Sequence, residues 1–124
     1  MNTTVRSYLI EIARLPSRKT IYDMELSKVC GLELELKDPA FAKMEMSRIL
    51  AEISFYEFSQ GRPLLGSIVV TKAGEYLEET LFKTAEQCNI QGWQTARGNA
   101  SFIIATRNEC YNFWEPDRNY LKYK

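Results

Sequence analysis

Gly61-Arg62-Pro63-Leu64-Leu65-Gly66-Ser67-Ile68-Val69-Val70 decides how this chain is read. Gly61 closes a long run of helical periodicity, and Pro63 opens an apolar, β-branched segment that gives way to Ala73-Gly74, the composition of a buried strand over Leu64 to Thr71. The stretch therefore marks a helix-to-strand junction at the centre of the fold. Gly66 inside it predicts a bulge or a close approach of backbone.

Working upstream, Asp38-Pro39 is a helix start, because Asp caps free amides and Pro fits the first turn. The pattern then runs to Gln60 and makes the longest helix of the chain. Its apolar residues, Phe41, Met44, Leu50, Ile53 and Phe58 joined by Met46, Ile49 and Phe55, cover more than one stripe, which predicts a central helix buried on more than one side. Two shorter helices meeting near Met46 or Ser54 satisfy the same periodicity. Val5, Tyr8, Leu9 and Ile12 predict a first helix capped by Thr3 or Thr4 and ended before Pro16. Thr20 opens a second, with Asp23 completing a capping-box-like pair, Tyr22, Leu26, Val29 and Cys30 on its apolar face, and Gly31 as its stop. Leu32, Leu34 and Leu36 alternate with Glu33 and Glu35, which reads as a short edge strand or an extended turn.

Downstream, Tyr76, Leu77, Leu81, Phe82, Ala85 and Cys88 predict a further helix. Asn89 to Ala100 reads as a polar loop, Ser101 to Thr106 as a second strand, and Glu109 to Tyr123 as an aromatic tail interrupted by Pro116 that docks on the core or on a partner. The expectation is one α+β domain over residues 1–124, with about five helices around a central long helix and a short two- or three-stranded sheet.

A length of 124 residues with 45% apolar content supports one continuous core. Sixteen basic and sixteen acidic side chains cancel, so no overall field draws the protein to nucleic acid or to an anionic membrane. The apolar runs fall far short of the roughly 20 residues a bilayer demands. Met1 to Arg6 has no basic stretch leading into an apolar block, so a cytoplasmic location is expected. Cys30, Cys88 and Cys110 are odd in number and far apart, which predicts reduced, packed thiols rather than a disulfide framework or a zinc knuckle.

The chain has no histidine and no Ser-x-x-Lys, so a Ser-His-Asp or Cys-His nucleophile lacks its base. Its six glycines are dispersed, and no phosphate-cradling loop is present. A non-enzymatic protein with no cofactor and no metal is expected. Carboxylates at helical spacing, Asp38 with Glu45, Glu52 with Glu57, and Glu75 with Glu78 and Glu79, read mainly as solvated faces. Glu57 with Arg62 stands apart, since a charged pair across a helix stop clamps the turn. Most aromatic residues are expected in the core. Trp93 is the exception, lying in a polar segment beside Gly92, Gln94 and Arg97, where exposure makes it an interface anchor.

From Thr20 to Val70 the chain resembles a set of small uncharacterised bacterial proteins. These pair a Tyr-x-x-x-Leu helix with Leu-x-Glu-Ile-Ser-x-Tyr-Glu and Gly-Arg-Pro-Leu-Leu, matched here by Tyr22 to Leu26, Leu50 to Glu57 and Gly61 to Leu65. That resemblance implies no particular activity, and the Pro-Gly-x-Gly-Phe segment of those relatives is replaced by Gly74-Glu75-Tyr76-Leu77. The helix-helix-strand order is also similar, more remotely, to the winged-helix part of alkyltransferase-like DNA-repair proteins. Leu65 and Gly66 stand where that family carries its acceptor cysteine, so alkyl transfer is not implied.

The function these features favour is a protein-binding module of toxin-immunity or regulatory type. Trp93 and Arg97, with Glu75, Glu78 and Glu79, would meet a cognate protein such as a basic toxin. Glu52, Glu57 and Arg62 form the polar cluster of the motif. The alternatives are a winged-helix nucleic-acid binder using Lys43, Arg48, Arg62 and Lys72, and a small-ligand enzyme using Glu57 and Arg62.

Overall fold

One uninterrupted helix, α3 (Pro39–Ser59), is the axis on which the other elements pack. Asp38 Oδ2 accepts hydrogen bonds from the Ala40 and Phe41 amides at 3.1 and 3.2 Å, and Pro39 occupies the first helical position. At the other end Gly61 takes φ +76°, its amide donates to the Phe58 carbonyl at 2.9 Å, and the Arg62 amide donates to the Glu57 carbonyl at 2.9 Å. Those two bonds are the paired closure of a Schellman motif. Local chemistry thus sets both ends of the helix, as the sequence predicts.

The computed structural model describes residues 1–72, 74–90 and 101–124. In chain order the remaining elements are α1 (Thr3–Ala13), β1 (Ile21–Tyr22), α2 (Asp23–Val29), a 3-10 turn at Leu34–Leu36, then after α3 a 3-10 turn at Leu65–Ile68, β2 (Val69–Val70), α4 (Tyr76–Gln87), α5 (Ser101–Trp114) and α6 (Asp117–Tyr123). The described residues are mostly helical, with one small two-stranded parallel sheet that pairs Ile21 with Val69 and Tyr22 with Val70. No helix among them is long and apolar enough to cross a membrane. The main core joins Val5, Leu9 and Ile10 of α1, Met46 and Ile53 of α3, Leu65 and Ile68 of the 3-10 turn, and Trp114 of α5. A second cluster, Leu64, Leu81, Phe82 and Ile103, seats α4 against α5.

Several expectations change. The strand expected over Leu64 to Thr71 is a 3-10 turn followed by only two strand residues. Its cause is Gly66, whose amide donates to Ser54 Oγ at 2.9 Å, so the backbone folds down onto α3 instead of extending. The close approach expected at Gly66 is real, since a Cβ built there would lie 2.7 Å from Ser54 Oγ. Ser101 to Thr106 is not a strand but the first half of α5. Ile103, Thr106, Cys110 and Trp114 are buried at helical spacing along it, and that continuing stripe outweighs the β-branched run. Of the two forms expected over Leu32 to Leu36, an edge strand or an extended turn, neither is taken, and a tight 3-10 turn spans Leu34–Leu36. The second helix begins at Asp23, because Ile21 and Tyr22 pair with β2, and Tyr22 is exposed rather than on the apolar face. Asn2, not Thr3 or Thr4, caps α1 through its side-chain oxygen on the Val5 amide. The loop expected from Asn89 to Ala100 lies, from residue 91 onward, outside the described residues.

All three cysteines are free. Cys110 is fully buried, donating to the Leu64 carbonyl at 3.2 Å, and burial pushes its thiol up to about 12. Alkylation at pH 8 should therefore modify Cys30 and Cys88 well before Cys110 in the folded protein, with all three equal in denaturant, as read by mass spectrometry of timed quenches. Gly66→Ala should destabilise the fold by about 1–3 kcal/mol in denaturant titration. Ser54→Ala should also destabilise it, because the Gly66 amide then loses its acceptor.

Candidate functional site

Glu57 sits at the last turn of α3 and is completely buried. Its two carboxylate oxygens are divided between two arginines. Oε1 accepts from Arg6 Nε and Oε2 from Arg62 Nε, each at 2.5 Å. Arg62 reaches it because the Schellman closure of α3 places residues 57 and 62 side by side, and a buried ion pair stands where that motif usually carries an apolar contact. Arg6 comes from α1, and its Nη2 donates to the Tyr123 carbonyl at 2.9 Å, so the cluster also reaches α6.

The cluster holds two guanidinium groups against one carboxylate. Ring faces take up the excess positive charge. Both guanidiniums lie within 5.5 Å of the Tyr56 ring centroid, Arg62 also faces Tyr123 and Arg6 faces Trp114. Burial alone would lower the Arg62 pKa, but Glu57, with smaller help from Tyr56, outweighs it and leaves the group above its ordinary value. Arg62 Nη2 and Trp114 Nε1 are buried without a hydrogen-bond partner among the described residues, which marks the cluster as packed rather than open.

The opposite side of α3 is outward and apolar at both ends. Met44 is 67% exposed, Phe55 51%, Phe41 45% and Phe58 41%. Helical spacing puts Phe41, Met44 and Phe55 on one stripe, with Phe58 at its margin. Between them Arg48 bonds Glu52 at 2.7 Å and also pairs with Glu45, so a small charged bridge divides two apolar ends. The Thr80 hydroxyl donates to Ser47 Oγ at 2.9 Å, which sets the first turn of α4, with exposed Glu78 and Glu79, beside this charged segment.

The expected site residues therefore separate. Glu57 and Arg62 meet as the expected clamp, whereas Glu52 leaves the motif cluster, because five residues along a helix rotate roughly 140° and turn it toward Arg48 and solvent. Glu75, Glu78 and Glu79 are exposed at the start of α4. Trp93 and Arg97 lie outside the described residues. The expected burial of α3 is present where it packs against α4 and both 3-10 turns, whereas its outward stripe is about half exposed or more. Sequence reasoning missed Arg6, although its spacing to Leu9, Ile10 and Ala13 puts it on the inner face of α1. Comparison of the chain with protein-family models, curated proteins and solved structures gives no match.

Removing the shared carboxylate strands two buried cations. Glu57→Ala should cost about 3–5 kcal/mol in chemical denaturation. Arg48→Ala, which breaks a pair on the exposed surface, should change stability by no more than about 1 kcal/mol.

Proposed function

We propose that the protein is a non-enzymatic protein-binding module of toxin-immunity or regulatory type. Its contact surface is the outer face of α3, flanked by the acidic first turn of α4. The uncovered stripe of Phe41, Met44, Phe55 and Phe58 carries this reading, because exposed large apolar side chains grouped on one rigid element are the composition of an interface core. Charge selects the partner. Glu45, Glu52, Glu78 and Glu79 outnumber Arg48 on this surface, which suits a cognate protein whose face is basic around apolar contacts, such as a basic toxin. Trp93 and Arg97, outside the described residues, stay candidates on the strength of the sequence alone.

The alternatives draw less support. A nucleic-acid surface built on Lys43, Arg48, Arg62 and Lys72 requires those cations together and open, yet Arg62 is buried on Glu57 and Arg48 is held by Glu45 and Glu52. An enzyme using Glu57 and Arg62 requires substrate access to a carboxylate that is wholly buried.

The test places a photo-crosslinker at Met44 or Phe55, and at Leu121 as a control, in tagged protein exposed to native lysate with and without nuclease. One nuclease-resistant basic protein should crosslink from positions 44 and 55 and not from 121. Phe55→Glu, or reversal of Glu78 and Glu79 to lysine, should weaken its binding by roughly tenfold or more in a purified assay. Equal crosslinking from 121, or binding unchanged by those variants and by Trp93→Ala, would remove the proposed surface.

A further inference from the structure

We propose that the cleft at the carboxyl ends of β1 and β2 binds a small organic anion, an apolar body carrying a carboxylate or phosphate head group. The cleft encloses about 480 Å³, within the range of metabolite pockets. Tyr22 enters it from β1, and Thr71 and Lys72 follow β2 into it, so both strand ends converge on one opening. Its floor is apolar, built from Leu34, Pro39 and Ala42.

The charges decide which ligand fits. Lys28, Lys37, Lys43 and Lys72 line the cleft, and among the described residues none of them has a carboxylate within ion-pair distance. The lining also carries three carboxylates, Asp23, Glu25 and Glu35, against its four lysines, which leaves one positive charge in excess. Buried Asp23 accepts from the Tyr76 hydroxyl at 2.5 Å and from the Met24 amide at 2.9 Å. Glu35 accepts from Ser27 Oγ at 2.7 Å, and that bond holds its pKa below the usual carboxylate range. Glu25 is the one carboxylate of the lining without such a bond among the described residues. Lys72 lies 4.6 Å from the Tyr22 ring centroid and Lys43 5.8 Å from that of Tyr76, so the aromatic walls already hold cations. A cationic ligand would compete with these lysines for the rings. An anion would complete them, with its apolar part against the floor.

This site is separate from the docking stripe. α3 contributes Ala42 and Lys43 to the cleft; their neighbours Phe41 and Met44 are not part of its lining and face outward at this end of the stripe, and Phe55 and Phe58 lie toward the far end of the helix.

Anilinonaphthalene sulfonate, an apolar body with one anionic group, is the probe, and neutral phenylnaphthylamine is its control. Fluorescence titration should give one saturable sulfonate site that weakens in salt, with the neutral analogue binding far less. Lys43→Gln with Lys72→Gln should weaken that site by roughly tenfold while leaving the thermal melt unchanged. Amide shifts on binding should centre on Tyr22, Lys43 and Lys72. Hexanoate and hexyl phosphate serve as competitors: displacement by either one supports the site and identifies its head group. Equal binding of the neutral analogue, insensitivity to the lysine pair, shifts centred on Phe55 and Phe58, or displacement by neither competitor would overturn the proposal.

Discussion

A single carboxylate, Glu57, holds together segments that lie far apart in the chain. Its oxygens fix Arg6 on α1 and Arg62 just beyond α3, and Arg6 in turn bonds the last turn of α6. Buried charge is expensive to desolvate, and the guanidinium–carboxylate contacts offset that cost only while all three partners are present. The arrangement therefore constrains geometry more than it adds net stability. It sets how α1 and the C-terminal helices meet α3, and the rings of Tyr56, Trp114 and Tyr123 complete the enclosure. Outer contacts then reinforce the same seam. Arg14 bonds Asp117 at 2.5 Å, Arg18 bonds Glu115 at 2.6 Å, and Tyr120 donates to Glu11.

That constraint also divides α3 into a buried and an exposed side. The inner side is committed to Met46, Leu50, Ile53 and Glu57, so nothing on it is available to a partner. The outer side carries aromatic and thioether groups that are about half exposed or more. For the proposed docking role, a helix anchored this firmly would present those groups with little loss of conformational freedom on binding. The lysine-rimmed cleft uses a different part of the same frame, where the Tyr76–Asp23 bond joins α4 to α2 across the strand ends.

What was legible in the sequence was set by local chemistry. Asp38-Pro39 and Gly61 act through their own backbone and their immediate neighbours, so the long helix could be read residue by residue. Glu57 and Arg62 were legible as a clamp because a helix stop brings those two positions together. What misled was decided at long range. Leu64 to Val70 has strand composition, but Ser54 on α3 captures the Gly66 amide and bends the segment. Ser101 to Thr106 resembles a strand only when cut off before Cys110 and Trp114, where the helical stripe continues. Glu52 falls next to Glu57 in the motif yet faces solvent, because shared membership of a short motif says nothing about helical phase.

The central claim is that one buried carboxylate holds two guanidinium groups at once, and nuclear magnetic resonance of arginine Nε–H protons reads it directly. Arg6 and Arg62 should each give a slowly exchanging signal, distinct from the fast-exchanging arginines of the surface, and both should lose protection together in Glu57→Ala, which removes both acceptor oxygens. Fast exchange of either proton in the native protein, or loss of one signal without the other in that variant, would contradict the account.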